Sequence, residues 1–316
     1  MHTEQRSDSW DIVVVGGANY DYLGRGAQLP RPGETRPGDL VDEAPGGKGA
    51  NQAVAAARLG ARVAFIGRLG LDDRGARLLE SFQREGVDTA AIVRGSEAPT
   101  GVALIMVDEG GQKQILSIGG ANLRLTSADV TAAAAVIRGA KVLLVQLEVP
   151  MEAVVTAAHI AREAGVKVLL DPAPAIDLPD ALLRLVDWIK PNSNEAQILT
   201  GVVVQDPASA RAAATQLKQR GAGSVAVTAG SEGTLAVWPG GERLLKRLPV
   251  KSIDATGAGD AFAGALGVAL AEGQPFVEAC AFANAAAALA TTIVGAQAAM
   301  PSRDAVLAVQ RQFPPC

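Results

Sequence analysis

Short runs of apolar residues recur along the chain and alternate with longer stretches that carry a helical period. Apolar runs of this length, rich in β-branched residues and closed by glycine or a polar residue, are typical of strands buried on both faces. The predicted strands are residues 11–15, 62–67, 142–146, 166–170, 187–190 and 224–227. The predicted helices are residues 53–59, 73–85, 152–164, 195–199, 208–221, 261–270, 277–291 and 304–311. This alternation predicts right-handed βαβ units and therefore an α/β fold, with a doubly wound, mainly parallel central sheet flanked by helices.

Two segments do not follow this rhythm and predict a small separate sheet. The first is rich in glycine and proline and lacks a helical period, and the second holds two apolar runs joined by a turn at residues 108–111. Such a turn between apolar runs is typical of a β-hairpin. We therefore expect a small β-sheet lid lobe formed by about residues 18–45 and 98–120. Residues 233–238 are expected to run antiparallel to their neighbour, residues 1–10 to be a disordered tail, and residues 11–316 to form one domain.

Composition narrows the possible partners and the compartment. The chain has 316 residues, 48% of them hydrophobic, and a net charge of -4 without a basic block. Nucleic acid and anionic membranes are therefore not expected as partners. The start of the chain lacks the apolar core of a signal peptide, and no run has the character of a membrane span. Two cysteines, Cys280 and Cys316, make no disulfide framework, so we expect a cytoplasmic location.

One loop carries the clearest chemical signal in the sequence. Residues 254–260 read Asp-Ala-Thr-Gly-Ala-Gly-Asp and stand directly before a long apolar run. Gly257 and Gly259 permit a sharp backbone turn, and the unpaired N–H groups that begin a helix attract a phosphate. A carboxylate at Asp260 would repel that phosphate unless it takes a proton from an attacking hydroxyl. The loop therefore indicates phosphoryl transfer, although a surface turn with an Asp cap would have a similar sequence.

Further polar residues follow other predicted strands. Because ligands bind at the carboxyl ends of strands in such sheets, these residues are expected to gather at one edge. Asn19 and Asp21 are suited to hydroxyl recognition, or else to an Asx turn. Glu148 would face a ligand or cap a helix. Residues 228–233 would form the floor of a nucleotide site or only a turn.

Two more motifs at strand ends have both functional and structural interpretations. Residues 46–51 read Gly-Gly-Lys-Gly-Ala-Asn and lack the Ser or Thr that a Walker A loop places after its lysine. Gly47, Lys48 and Asn51 would instead contact a polar substrate. Asn192 and Glu195 resemble a capping box, and Glu195 could also hold Mg²⁺ through water. Together these motifs favour a kinase without a Walker loop.

At this point the chain resembles the ribokinase (PfkB) family of carbohydrate kinases. Residues 46–56 are similar to the first signature of that family and residues 254–260 to the second, and the likeness runs from about residue 11 to residue 301. The resemblance implies a ribokinase-like fold and ATP-dependent phosphorylation of a sugar, with D-ribose as the expected acceptor. It also implies that the β lobe closes over the sugar and forms a homodimer surface.

The resemblance further implies a role for individual residues. Asp260 would be the general base, with the backbone of Gly257, Ala258 and Gly259 as the anion hole. The implied sugar site is Asn19, Asp21, Gly47, Lys48, Asn51, Glu148 and Asp260. The implied ATP site is Asn192, Thr228, Ala229, Gly230, Ser231, Glu232, Gly233, Gly259 and Asn284, with Mg²⁺ near Glu195. The implied K⁺ positions are Asp254, Thr256, Ala290, Ile293, Gly295 and Ala299.

Some positions depart from the family pattern and keep other functions open. Ala299 stands where the family tends to offer a serine hydroxyl to the cation, and Asp171 stands where Asn often precedes Pro-Ala-Pro. Tyr20 and Tyr22 flank Asp21, which leaves another sugar, or a nucleoside such as pseudouridine or adenosine, as an alternative acceptor. A non-catalytic sugar sensor on the same fold is a third hypothesis, although such a protein would be expected to lose Asp260 or the two glycines.

Overall fold

The computed structural model describes residues 9–313, and the predicted tail at residues 1–8 and Cys316 lie outside this range. Its strands are Trp10–Val15 (β1), Asn19–Gly26 (β2), Asp39–Gly46 (β3), Val63–Gly70 (β4), Ile92–Gly95 (β5), Gly101–Asp108 (β6), Lys113–Ile118 (β7), Ala140–Val145 (β8), Lys167–Leu170 (β9), Trp188–Ile189 (β10), Ser224–Thr228 (β11), Gly233–Trp238 (β12) and Gly241–Lys246 (β13). Its helices are Lys48–Arg58 (α1), Asp73–Arg84 (α2), Ser127–Ala132 (α3), Ala134–Arg138 (α4), Met151–Glu163 (α5), Asp180–Leu183 (α6), Ser193–Thr200 (α7), Pro207–Gln219 (α8), Ala258–Ala271 (α9), Phe276–Ala290 (α10) and Arg303–Gln312 (α11).

The main sheet has nine strands in the order β13-β12-β11-β10-β9-β8-β1-β4-β5. Strands β11 through β5 in this order are all parallel, whereas β12 and β13 are antiparallel to their neighbours. The mainly parallel sheet and the antiparallel strand at residues 233–238 are thus confirmed. Strand β1 begins at Trp10, so the last residue that we assigned to the tail belongs to the sheet.

Helices cover both faces of this sheet because successive side chains of a strand point to opposite faces. In β1, Val13 and Val15 pack into one core with residues of α3 to α8. Ile12 and Val14 pack into the opposite core with residues of α1, α2, α9, α10 and α11. The apolar run that marks β1 in the sequence therefore serves two cores at once.

A second sheet of four strands stands apart from the main sheet in the order β3-β2-β6-β7. Its strands lie between residues 19 and 46 and between residues 101 and 118. The β6–β7 hairpin is antiparallel, as its turn indicates, whereas β2 and β6 run parallel, so the small sheet is mixed. We refer to these four strands as the lid sheet.

Sequence patterns misplaced two helix starts that matter for the site. Helix α1 begins at Lys48 rather than at residue 53, and helix α9 begins at Ala258 rather than at residue 261. In both cases the glycine motif is itself the first turn of the helix, and the residue before it, Gly47 or Gly257, has a positive φ. Asn51 and Asp260 are therefore helical residues held at fixed angles rather than loop residues.

The pattern also missed several peripheral elements. Strand β13 reads Gly-Glu-Arg-Leu-Leu-Lys and is largely exposed, so it carries no continuous apolar run. Strand β5 and the short helices α3, α4 and α6 were likewise not predicted, and β10 has only two residues. Within the part of the chain that the structure covers, no helix is both long and apolar enough to cross a bilayer.

Helices α1 and α9 pack directly on each other through Gly264. A Cβ at this position would lie 2.7 Å from the Ala55 Cβ and 2.9 Å from the Gln52 carbonyl oxygen. Gly264→Ala is therefore expected to destabilise the fold by about 1–3 kcal/mol through overpacking, despite the better helix propensity of alanine. Urea denaturation would measure the change in the free energy of unfolding.

Gly267→Ala on the same helix is the matched control. A Cβ there would meet only the side-chain ends of Ile12 and Leu169, at 3.2 and 3.8 Å. This variant should be within about 1 kcal/mol of the wild type or more stable, because it gains helix propensity at a small steric cost. Equal stabilities for the two variants would contradict close α1–α9 packing as the reason for Gly264.

Candidate active site

A cavity of about 950 Å³ lies where the lid sheet faces the carboxyl ends of the parallel strands. Most of the residues predicted for a site line it. They are Asn19, Asp21, Gly47, Lys48, Asn51, Glu148, Asn192, Glu195, Thr228, Gly230, Gly233, Thr256, Gly257, Ala258, Gly259, Asp260 and Asn284. The motifs that the sequence scatters over more than 250 positions are thus brought to one place by the sheet, as the strand-end rule predicts.

The glycine loop lies at the start of helix α9. Gly257 precedes the helix with φ 77°, a conformation that favours glycine. Because the helix begins at Ala258, the N–H groups of its first turn have no helical carbonyl to bind, and they form a place suited to an anion. Within the loop the Ala258 N–H donates to the Ala255 carbonyl at 3.2 Å, which leaves Gly259 as the better-placed donor of the turn.

Asp260 follows on the same turn and is held by two amide side chains of helix α1. Its side chain is buried, with the residue 6% exposed. The Asn51 Nδ2 donates to Asp260 Oδ2 at 2.9 Å, and the Gln52 Nε2 donates to Asp260 Oδ1 at 3.0 Å. Burial raises the pKa of Asp260, and the positive charge of Lys48 opposes that rise. A fixed carboxylate with a raised pKa is suited to accept a proton.

Two further carboxylates lie on the lid side of the cavity. Asp21 Oδ1 is buried and has no hydrogen-bond partner among the residues that the structure describes. Burial, together with the charges of Glu148 and Asp260, raises the pKa of Asp21 to about 7. Burial also raises the pKa of Glu148 to about 7, against the attraction of Lys48. The Lys48 backbone N–H donates to Glu148 Oε2 at 2.7 Å.

These carboxylates are accompanied by amide oxygens that suit a polyhydroxy ligand. Asn51 Oδ1 is also buried without a partner among the described residues. Asn19 Oδ1 accepts a hydrogen bond from Asn122 Nδ2 at 2.8 Å, which fixes the orientation of the Asn19 side chain. Unpaired buried acceptors are costly, so a ligand that donates hydroxyl groups to them would be bound favourably.

The aromatic residues that motivated a nucleoside acceptor lie elsewhere. Along β2 the side chains alternate, so Asn19 and Asp21 line the cavity whereas Tyr20 and Tyr22 do not. The two tyrosine rings pack on each other at 5.7 Å, and the Arg77 Nη1 donates to the Tyr20 hydroxyl at 3.1 Å. This pair therefore offers no stacking surface to a base in the cavity.

On the opposite side of the cavity, Asn192 and Glu195 form the capping box that the sequence allowed. Asn192 Oδ1 accepts from the Glu195 N–H at 2.9 Å, and Glu195 Oε2 accepts from the Asn192 N–H at 2.7 Å. Burial and the charge of Asp171 raise the pKa of Glu195. Each carboxylate oxygen accepts one hydrogen bond from Asn192 and keeps a second acceptor position, which suits a water-mediated Mg²⁺ contact.

The segment predicted as a nucleotide floor is only partly at the cavity. Thr228, Gly230 and Gly233 line it, whereas Ala229 is fully buried and Ser231 and Glu232 are exposed to solvent without lining it. Asn284 lines the cavity from helix α10, and its Nδ2 donates to the Lys246 carbonyl at 2.9 Å. The glycines permit close approach of a ligand to this backbone.

The positions assigned to a monovalent cation surround the base of the glycine loop. Asp254 Oδ1 accepts from the Thr256 hydroxyl at 2.7 Å, and Asp254 Oδ2 accepts from the Gly295 N–H at 3.0 Å. Burial acts to raise the pKa of Asp254, but these hydrogen bonds and the charge of Lys113 lower it below its usual value. One ionised carboxylate on a turn-rich backbone is compatible with a cation site of oxygen ligands.

The other members of this set differ in placement. Ala290 and Ala299 are buried in a small cluster with Met300, and Ile293 is half exposed. Their side chains carry no oxygen, so only their backbone carbonyls could contact a cation. The Lys113 Nζ, from the lid sheet, donates to Thr256 Oγ1 at 3.1 Å. Over residues 9–313 no group of three or more His, Cys, Asp or Glu side chains is arranged to hold a metal ion.

Sequence reasoning missed several residues that line the cavity or support it. Lys190, Asn122, Lys113 and Arg247 line it, as does Asp171, which the sequence singled out without a role. Gln52 supports Asp260 from within helix α1. Lys190 directly follows β10, so the strand-end rule that located Glu148 could have found it as well.

A doubly wound sheet whose strand ends collect a glycine helix start, a buried carboxylate and unpaired hydroxyl acceptors defines a phosphotransferase acting on an alcohol. A sequence model described as pfkB family carbohydrate kinase matches residues 10–303. The chain belongs to this family.

Relatives and solved structures agree over nearly the whole length. The chain is 44% identical over 296 residues to ribokinase of Haemophilus influenzae, covering 94% of this chain and 97% of that protein. It is 38% identical over 297 residues to ribokinase of Staphylococcus aureus, covering 93% and 98%. The structure of Arabidopsis thaliana ribokinase complexed with ribose and ATP superposes with a TM-score of 0.87 at 33% identity, covering 95% of this chain and 98% of that one. The predicted family and the ribokinase-like fold are confirmed.

Proposed function

We propose that this protein transfers the terminal phosphoryl group of ATP to the terminal hydroxyl of D-ribose and releases ADP and ribose 5-phosphate. The observation that carries the proposal is that one buried carboxylate, Asp260, on the same helical turn as the Gly259 N–H, lines the same cavity as Asp21, whose Oδ1 has no partner among the described residues. Base, anion-binding backbone and hydroxyl acceptor thus face one cavity. The family of the chain and the activities named for its relatives support the choice of reaction.

In this mechanism Asp260 accepts the proton of the attacking hydroxyl. The hydroxyl oxygen forms a bond to the γ-phosphorus while the bond from that phosphorus to the β,γ-bridging oxygen breaks, and ADP leaves with that oxygen. Asn51 and Gln52 hold the carboxylate through one amide each, so that its oxygens stay oriented. The backbone N–H groups of the anion hole, Gly257 to Gly259, would stabilise the charge on the transferred group, with Gly259 as the main donor because the Ala258 N–H already donates to the Ala255 carbonyl.

The two substrates would occupy different sides of the cavity, with ribose next to the lid sheet and ATP next to helices α7 and α10. Ribose hydroxyls would donate to Asp21, Asn19 and Glu148, and the lid sheet would close over the sugar and exclude water. ATP would lie along Asn192, Thr228, Gly230, Gly233 and Asn284. Mg²⁺, when bound near Glu195, would neutralise phosphate charge. K⁺ would be held at the Asp254 loop and would stabilise the anion-binding turn.

The test is a panel of acceptors assayed by ADP formation, with and without K⁺. D-ribose should have the highest kcat/KM among ribose, 2-deoxyribose, arabinose, fructose, adenosine and pseudouridine. A nucleoside that clearly exceeds ribose would replace the proposed substrate. No ADP formation with any acceptor, in a protein that binds ribose, would favour the sugar-sensor hypothesis.

We further propose that the lid sheet forms a homodimer surface. In β6 and β7 alternate residues line the cavity, including Ile105 and Ile115. The residues between them, Leu104, Met106, Leu116 and Ile118, face the other way and are exposed. A contiguous apolar patch of this kind marks an interaction surface.

Because the reaction consumes ATP, we place the protein in the cytoplasm.

The variant Leu104→Glu/Leu116→Glu is expected to be monomeric, since it places two charges in the centre of this patch. Sedimentation velocity would measure the mass. Ile198→Glu is the matched control, because Ile198 on α7 is 61% exposed but lies outside the lid sheet. A wild-type protein that sediments as a monomer at micromolar concentration would contradict the proposed dimer.

A further inference from the structure

A buried ion pair between Asp171 and Lys190 lies next to the Asp260 carboxylate and to the backbone of the glycine loop. Asp171 follows β9 and is 1% exposed, and Lys190 follows the neighbouring strand β10 and is 8% exposed. The Lys190 Nζ donates to Asp171 Oδ1 at 3.1 Å. Charged groups are rarely buried unless paired, and burying a pair seldom adds net stability. A pair at this depth beside the cavity therefore calls for a role other than stability.

One end of the pair reaches the carboxylate that serves as the base. Asp171 Oδ2 accepts a hydrogen bond from Gln52 Nε2 at 2.8 Å, and the same Nε2 donates to Asp260 Oδ1 at 3.0 Å. Gln52 is fully buried, and its Oε1 accepts from Gln146 Nε2, so the amide cannot turn over without losing both contacts. Asp171 therefore holds the amide that orients Asp260.

The other end reaches the backbone of the glycine loop. The Lys190 Nζ also donates to the carbonyl oxygen of Gly259 at 3.2 Å. A Cβ at Gly259 would lie only 3.3 Å from that Nζ, so the ammonium fills the space next to the loop. The hydrogen bonds thus close a ring that runs from the Asp260 carboxylate through Gln52, Asp171 and Lys190 to the peptide group joining Gly259 to Asp260.

We propose that Asp171 and Lys190 are positioning residues for phosphoryl transfer, which set the orientation of the Asp260 carboxylate through Gln52 and of the glycine loop through the Gly259 carbonyl. This inference rests on the proposed function, since it concerns the same base and loop. The ring fixes the base relative to the anion-binding N–H groups before substrate arrives. Small errors in such positioning lower the rate strongly.

The charge of Asp171 also acts on Asp260. Burial raises the pKa of Asp260 most, and the negative charge of Asp171 adds to the rise. Removal of that charge should lower the pKa of Asp260 and make it a weaker base. The charged groups that face Asp260 from the surrounding elements are Lys48, Asp21, Glu148, Asp171 and Lys190.

The test compares Asp171→Asn, Lys190→Met, Lys190→Arg and the double variant Asp171→Asn/Lys190→Met, which leaves no unpaired buried charge. We expect Asp171→Asn and the double variant to lose about 10- to 100-fold in kcat, with KM for ribose within about threefold of the wild type. In Asp171→Asn, the acidic limb of the profile of kcat against pH should move to lower pH, because the pKa of Asp260 falls. Lys190→Arg should recover part of the activity that Lys190→Met loses.

Asp129→Asn is the matched control, because Asp129 also accepts from a basic side chain, Arg68 Nη1 at 3.0 Å, but does not line the cavity. It should change thermal stability without changing kcat or its pH profile. If Asp171→Asn behaves in the same way, with kcat within twofold of the wild type and an unmoved acidic limb, the positioning role is wrong.

A direct titration separates this inference from the proposed function. The carboxyl carbon signal of Asp260 can be assigned by its loss in Asp260→Asn and followed by ¹³C NMR against pH in the ligand-free protein. The pKa of Asp260 should be lower in Asp171→Asn than in the wild type, whatever the acceptor of the enzyme. An unchanged titration would contradict the coupling, whereas an inactive wild type with a shifted titration would contradict only the proposed reaction.

Discussion

The Asp260→Asn variant is expected to show kcat lowered by on the order of 10²–10⁴, the range that general-base catalysis contributes. Asparagine has nearly the same shape but cannot accept the hydroxyl proton. The glycine loop and the sugar contacts stay in place, so KM for ribose should change much less than kcat. Steady-state assays at saturating ATP and ribose would measure both constants.

Loss of folding cannot explain such a result. Burial raises the pKa of Asp260, which means that the folded protein disfavours its charge, and a neutral amide removes that cost. The melting temperature should therefore be unchanged or higher. Asp304→Asn is the matched control, since Asp304 also lies in the first turn of a helix but is exposed on α11. A variant at residue 260 with near-normal turnover would remove Asp260 from the role of base.

The candidate site was largely predictable because its residues follow strands. A strand end is recognisable from an apolar run that stops at a polar residue, and all parallel strands deliver their ends to the same edge. Asp21 and Asp260 lie inside lid strand β2 and helix α9, so the strand-end rule locates only the segments that hold them, whereas the place of Glu148, shortly after β8, could be predicted directly. The unpaired oxygen of Asp21 could not, since the sequence does not show which acceptors the fold leaves without donors.

What the sequence could not show is which polar side chains turn inward from regular elements. Gln52 lies in an apolar helix, so no pattern marks it, and Lys190 follows a strand but nothing in the sequence shows what its ammonium group contacts. Their roles depend on neighbours that are more than 60 positions away, Asp260 and Gly259. Tyr20 and Tyr22 show the opposite error. They are adjacent to Asp21 in sequence and were therefore expected near the sugar, but neighbouring residues of a strand point to opposite faces, and neither tyrosine lines the cavity.

Asp21→Asn is expected to bind ribose roughly 10²-fold more weakly and, above pH 7, to be more stable without ligand than the wild type. The affinity falls because hydrogen bonds to a charged acceptor contribute about 1.5–3 kcal/mol, and an amide offers one acceptor oxygen in place of two. Calorimetric titration with ribose would measure the loss. Asp42→Asn, at an exposed position of lid strand β3, is the matched control and should bind normally.

The stability gain follows from the raised pKa of Asp21, about 7 in the folded protein against 3.8 for a free side chain. Below pH 3.8 the Asp21 carboxyl is protonated in both the folded and the unfolded protein, and the folded protein has the full stability that this carboxyl allows. As the pH rises through about 7 that stability is lost, because the folded protein must then hold a buried charge. Asparagine stays neutral, so the difference in the free energy of unfolding should grow from pH 4 to pH 7 by roughly 4 kcal/mol, since each pKa unit corresponds to about 1.4 kcal/mol. The same ionisation makes the wild-type site a better acceptor for hydroxyl groups, so wild-type affinity for ribose should fall severalfold from pH 8 to pH 6. The affinity of the variant should fall less over that range, with Glu148 as its remaining titrating acceptor. A variant with wild-type stability at pH 8 would mean that Asp21 does not carry a costly charge in the empty site.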